Sequence, residues 1–98
     1  MKDDIKDNLI SYFDIDLLIR FGNSKNNAHD IDLLIVSDSF IGISTLKRKQ
    51  LVLSFDNRID PICLTNIQFN HLKKSGCRLY KNIISNYELL YGNPTNIF

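Results

Sequence analysis

Ninety-eight residues, 44% of them apolar and 23% charged, suffice for one hydrophobic core and are too few for two, so a single domain spanning 1–98 is expected. A formal charge of +1 lacks the strongly basic face of a nucleic-acid binder, and no apolar run reaches the roughly 18 residues of a membrane span. Met1-Lys-Asp-Asp-Ile-Lys-Asp7 is too polar and acidic for a secretory signal, which points to a cytoplasmic chain. Cys63 and Cys77 lack metal-ligand spacing and stand among apolar residues, as reduced, buried thiols do.

Ile5, Leu9, Ile10 and Phe13 recur at helical spacing, and acidic residues near the start favour a helix from Asp3 to Phe13. Asp16 to Phe21 and Ile31 to Val36 are dense in Ile, Leu and Val, as strands covered on both faces are. A polar loop, Gly22 to His29, joins them. After the connection Ser37-Asp-Ser-Phe-Ile-Gly42, Ser44 caps a predicted helix to about Phe55. Its apolar positions are Leu46, Leu51, Val52 and Phe55, which turns Lys47, Arg48 and Lys49 outward. Arg58 to Leu64 reads as a third strand, and Pro61 assigns it to an edge or a bulge. Thr65 opens a helix to about Lys74. Gly76 separates it from a last helix, Cys77 to Leu90, stopped by Gly92 and Pro94 and packed by Tyr80, Tyr87 and Tyr91. His71 falls on a surface helix and carries no chemistry.

The chemistry concentrates between residues 20 and 36. Successive strand side chains alternate between faces, so Asp30 and Asp32 share one face with Ile31 on the other. Two such carboxylates form a seat for a hard cation such as Mg²⁺, which takes few carboxylates together with substrate phosphates. Just before them, Gly22-Asn23-Ser24 supplies a turn with backbone donors and a hydroxyl, equipment for phosphate oxygens, and Lys25 adds a charge. His29 adjoins the pair as a loop residue. The hexapeptide Asp-Ile-Asp-Leu-Leu-Ile also occurs at 14–19. That copy follows a helix directly, without a Gly-Asn-Ser turn, so Asp14 and Asp16 are read as ending the helix and opening the strand.

The strand Leu17–Phe21, the turn Gly22-Asn23-Ser24, the pair Asp30 and Asp32 before Leu33-Leu-Ile-Val36, and Asp60 in Arg58-Ile-Asp-Pro-Ile-Cys-Leu64 together resemble the DNA polymerase β-type nucleotidyltransferase superfamily, in particular its minimal nucleotidyltransferases. The family signature is a strand ending in Gly-Ser, a loop, Asp-x-Asp and a third acidic residue on a later strand; this chain reads Gly-Asn-Ser. The resemblance implies an α/β (α+β) fold, a mixed sheet of three or more strands with flanking helices. It also implies two Mg²⁺ ions held by Asp30, Asp32 and Asp60, with ATP or another nucleoside triphosphate bound through Gly22, Asn23, Ser24 and Lys25. Asp60 would serve the ion that activates the acceptor hydroxyl. Lys47, Arg48 and Lys49 would add charge if their helix started beside the triphosphate.

Larger relatives append a helical lobe for the acceptor, whereas only two short helices are expected after the third strand. The resemblance therefore implies a second chain, either another copy or the helical HEPN-type toxin with which minimal members pair as antitoxins, in some cases transferring AMP to a toxin tyrosine. Ile83, Ile84, Leu89 and Leu90 offer an apolar face for such a partner. Two functions stay open. One is a nucleotidyltransferase acting on a protein or small-molecule hydroxyl, and the other a catalytically inactive subunit that keeps the fold to hold a partner. A cyclic-nucleotide or oligonucleotide synthase would need a larger acceptor lobe.

Overall fold

The computed structural model describes residues 3–22 and 31–98. Its elements are α1 (Asp3–Tyr12), β1 (Ile15–Phe21), β2 (Ile31–Ser37), a 3-10 turn (Asp38–Phe40), α2 (Thr45–Leu53), β3 (Ile59–Leu64), α3 (Asn66–Ser75), α4 (Arg78–Ser85), β4 (Tyr87–Gly92) and a final 3-10 turn (Pro94–Asn96). The strands form one mixed sheet in the order β3-β2-β1-β4. β1 runs antiparallel to both β2 and β4, and β2 runs parallel to β3. Pro61, which has no ladder donor, thus sits on an edge strand as its chemistry requires.

Alternation along the strands divides the core between the two faces. Ile31, Leu33 and Ile35 of β2 pack with Leu9 and Phe13 from the α1 segment and with Phe40 and Val52. Leu34 and Val36 pack on the opposite face with Phe69 of α3, Ile83 of α4 and Ile97. In β1 the register slips between Ile15 and Leu17, so Ile15 and Leu18 share the first face while Leu17, Ile19 and Phe21 take the second. With apolar residues required on both faces, β1 and β2 read as near-continuous aliphatic runs.

Local signals set most helix ends. Ser44 Oγ accepts from the Lys47 amide at 3.2 Å, and Thr65 with Gln68 forms a complete capping box at the start of α3. Gly76 ends α3 in the left-handed conformation. Two features of α2 correct the sequence reading. Leu46 is exposed, and Arg48 is only 6% exposed, because the inward stripe of this helix runs through Arg48 and Val52, with Phe55 packing just beyond its end. The Arg48 guanidinium donates from Nε to the Ile43 carbonyl at 2.8 Å, and from Nη1 to the Cys63 carbonyl at 3.1 Å and to Gln68 Oε1 at 2.8 Å. Its carbon centre lies 5.7 Å from the centroid of the Phe40 ring.

The last predicted helix is also corrected. α4 stops at Ser85, Asn86 is extended (φ −158°), and Tyr87–Gly92 forms β4 beside β1. Tyr80 remains a packing residue, buried with its hydroxyl donating to the Ile97 carbonyl at 2.8 Å, whereas Tyr87 and Tyr91 belong to the strand. Gly92, read as a helix stop, instead permits close approach: at φ 108° a Cβ would collide with the carbonyl oxygen of Asp16 at the β1 irregularity. Cys63 is buried and Cys77 half-buried, and both are free thiols. None of the described helices is long and apolar enough to cross a membrane.

Candidate functional site

One end of the sheet gathers the end of β1 and the starts of β2, β3 and β4. At that end Asp32 and Asp60 are register partners in the parallel β2–β3 pair. Adjacent strands lie about 4.8 Å apart, so the two carboxylates stand side by side. They share the face on which Leu34, Ile62 and Leu64 pack toward α3. The register is held by nearby bonds. The Ile31 amide donates to the Arg58 carbonyl at 3.0 Å, and Asp56 holds Arg58 through its amide at 2.9 Å and a side-chain pair at 2.5 Å. That carboxylate raises the Arg58 pKa, chiefly through the side-chain hydrogen bond.

Gly22 closes the other side of Asp32. With φ at 83°, it turns so that a Cβ would lie 3.0 Å from Asp32 Oδ2. Its amide donates to the Asn86 carbonyl at 3.0 Å, and Asn86 Nδ2 donates to the Gly22 carbonyl at 3.4 Å. The Gly22 amide is therefore committed to the scaffold; Gly22 contributes room beside a carboxylate. On the β3 side, Lys49 Nζ lies 3.5 Å from Asp60 Oδ1, with both side chains about half exposed. Lys49, Asp60, Asp32, Gly22 and Asn86 thus follow one another across the end of the sheet.

Of the residues singled out by sequence, the structure brings Gly22, Asp32 and Asp60 together. Asn23, Ser24, Lys25, His29 and Asp30 lie outside the described residues. Among the described residues, no group of three His, Cys, Asp or Glu side chains is placed to hold a metal ion. The donor pair still suits a hard cation: two carboxylates side by side, with a glycine where any side chain would crowd Asp32. The first hexapeptide copy makes no such pair. Asp14 is clamped through its backbone by Ser37 and Ser39 at 2.6 and 3.0 Å, and the Asp16 carboxylate accepts from Asn66 Nδ2 at 2.6 Å.

No family model matches the chain, and no curated protein matches it. Solved structures do share its fold. One is the tri-AMPylated Shewanella oneidensis HEPN toxin in complex with MNT antitoxin, with a TM-score of 0.63 and 16% identity over 98% of this chain and 76% of that one. Another is a toxin-antitoxin complex with AMP-PNP, with a TM-score of 0.64 and 14% identity over 99% of this chain and 78% of that one. A mutant of the toxin-antitoxin pair MntA-HpeT gives 0.61 and 16% over 99% and 77%. The chain has the fold of a minimal nucleotidyltransferase. Asn86 is the neighbour of this candidate site that sequence reasoning missed, and Lys49, read only as added charge for a triphosphate, pairs instead with Asp60. An asparagine inside an apparent helix carries no signal until β4 is placed, and the partner of a lysine in a basic run is not set until α2 is.

Proposed function

We propose that the chain is a metal-dependent nucleotidyltransferase that moves a nucleoside monophosphate, AMP in the first instance, from a nucleoside triphosphate to a hydroxyl of a protein or small molecule. The observation that carries this reading is the Asp32–Asp60 register pair with Gly22 pressed against Asp32. Similar folds occur in complexes described as an AMPylated toxin with its antitoxin and as a toxin-antitoxin with AMP-PNP. By that likeness the partner is a HEPN-type toxin and this chain its antitoxin. Its free thiols suit the reducing cytoplasm that this role assumes.

Asp32 and Asp60, joined by Asp30, would hold Mg²⁺. Bound there, two ions would neutralise the phosphates and stabilise the entering and leaving oxygens of an in-line displacement. Asp60 is open to solvent, where an acceptor hydroxyl can approach and surrender its proton as its oxygen bonds to the α-phosphorus and pyrophosphate leaves. Gly22 leaves space for the phosphate chain beside Asp32, and Asn23, Ser24 and Lys25 would supply the donors. The non-catalytic reading has one observation in its favour. Lys49 Nζ stands 3.5 Å from Asp60, where an ammonium can take the place of a metal.

Calorimetric titration with AMP-PNP separates the two readings. The enzyme reading expects binding that requires Mg²⁺ and is lost in Asp32→Asn and Asp60→Asn, followed by transfer of labelled AMP to a HEPN-type toxin. A folded wild-type protein that binds no nucleotide, with or without metal, would leave the partner-holding subunit as the function.

A further inference from the structure

Arg48 pins α2 to the edge strand through the Cys63 carbonyl and to α3 through Gln68, and the next residue, Lys49, reaches Asp60. The ammonium stands 3.5 Å from the carboxylate that the proposed function assigns to a cation. Asp60 cannot serve both at full strength, since a divalent ion beside the ammonium would be repelled. An exposed pair of this kind is weak enough to break, and lysine carries its charge on a four-carbon stem with freely turning donors.

We propose that Lys49 is a shared counter-charge. It holds Asp60 while the site lacks nucleotide, and it passes to the phosphates of the incoming triphosphate when a divalent cation takes the carboxylate. The inference rests on the nucleotidyltransferase reading and deepens it. Its consequence is coupling: a divalent ion alone competes with the ammonium and binds poorly, whereas an ion arriving with a triphosphate gives the ammonium a new anionic partner. Metal and nucleotide therefore enter together. Arg58 is committed to Asp56 by a bidentate contact and takes no part in this exchange.

The test measures two affinities that should move in opposite directions. Free Mn²⁺ is titrated by electron paramagnetic resonance, and Mg²⁺ with AMP-PNP by calorimetry, on wild type, Lys49→Met, Lys49→Arg and Asp60→Asn, with circular dichroism confirming the fold. Lys49→Met is expected to bind Mn²⁺ about two- to fivefold more tightly and Mg²⁺ with AMP-PNP more weakly by a similar factor. Lys49→Arg should stay near wild type in both. Loss of both affinities in Lys49→Met would make Lys49 a simple prop of the site and overturn the sharing. So would unchanged affinities, with Asp60→Asn still losing metal; the nucleotidyltransferase reading would then survive alone. If the folded wild type binds neither Mn²⁺ nor nucleotide, the nucleotidyltransferase reading fails, and this inference fails with it.

Discussion

The Gly22 position sets the tolerance of the site at the residue scale. Gly22→Ala would force a side chain into positive φ and bring its Cβ to 3.0 Å from Asp32 Oδ2. The backbone effect costs about 1 kcal/mol or more, measurable by urea denaturation, and nucleotide binding should fall far beyond what that loss explains. The two cysteines make a contrasting pair. Burial pushes the Cys63 thiol up from 9.0 to about 12, while a hydrogen bond to Ser75 and nearby backbone bonds hold Cys77 below its ordinary value. Iodoacetamide should therefore modify Cys77 first and leave Cys63 untouched until the protein unfolds. Because the folded state keeps the Cys63 proton that the unfolded chain releases, this contribution is complete below pH 9 and is lost as pH rises toward 12. Urea midpoints should fall across that window, and Cys63→Ala should flatten the decline. Asp32 and Asp60 stood out in the sequence as candidates, and the β2–β3 register sets them side by side. That Lys49 and Asn86 adjoin them was not legible in the sequence, because the fold creates both contacts.

α2 and α3 are joined at the element scale by one acceptor. Gln68 Oε1 receives Arg48 Nη1 at 2.8 Å and the Thr65 amide at 3.0 Å, so the capping box of α3 also anchors the buried guanidinium of α2. Arg48→Met should cost about 1–3 kcal/mol, because the Cys63 and Ile43 carbonyls lose a charged donor. Thr65→Ala should cost about 1 kcal/mol as a lost cap. Because Gln68 serves both, the double variant should depart from the sum by at least about 0.5 kcal/mol, as a double-mutant cycle in urea would show. The same scale explains where sequence reading stopped. α1, β1, β2, β3 and α3 were legible from their apolar spacing, with a cap for α3, and α2 from its Ser44 cap although its inward stripe was not. β4 was not, since Tyr87, Leu89, Leu90 and Tyr91 continue the helical spacing of Ile83 and Ile84, and Leu and Glu favour helices. The open edge of β1 overrode that local preference, a tertiary effect that a sequence window does not contain.

Across the whole molecule, the two core layers share their central strands. Leu33 belongs to the layer with α1, and its neighbour Leu34 to the layer with α3 and α4, both fully buried. Neither layer can melt without uncovering β1 and β2 for the other, so unfolding should be one cooperative transition. Leu33→Ala and Leu34→Ala should each cost about 2–5 kcal/mol. The two substitutions would lower the far-ultraviolet and the tyrosine near-ultraviolet transitions together, with Tyr12 reporting beside Phe13 of the first layer and Tyr87 in the second. Separate midpoints would show the layers to be independent. Cooperativity also ties the site to the whole. Asp32 and Asp60 lie on β2 and β3, and Gly22 and Asn86 join the end of β1 to the start of β4, so the site spans all four strands. A ligand gripping that end stabilises every element behind it by mass action. Mg²⁺ with AMP-PNP at 100 times its dissociation constant should thus add about 2.7 kcal/mol to global stability. The gain should be read equally by both signals, and it should vanish in Asp32→Asn. If it appeared in the tyrosine signal alone, the sheet would not be the cooperative unit that couples the site to the core.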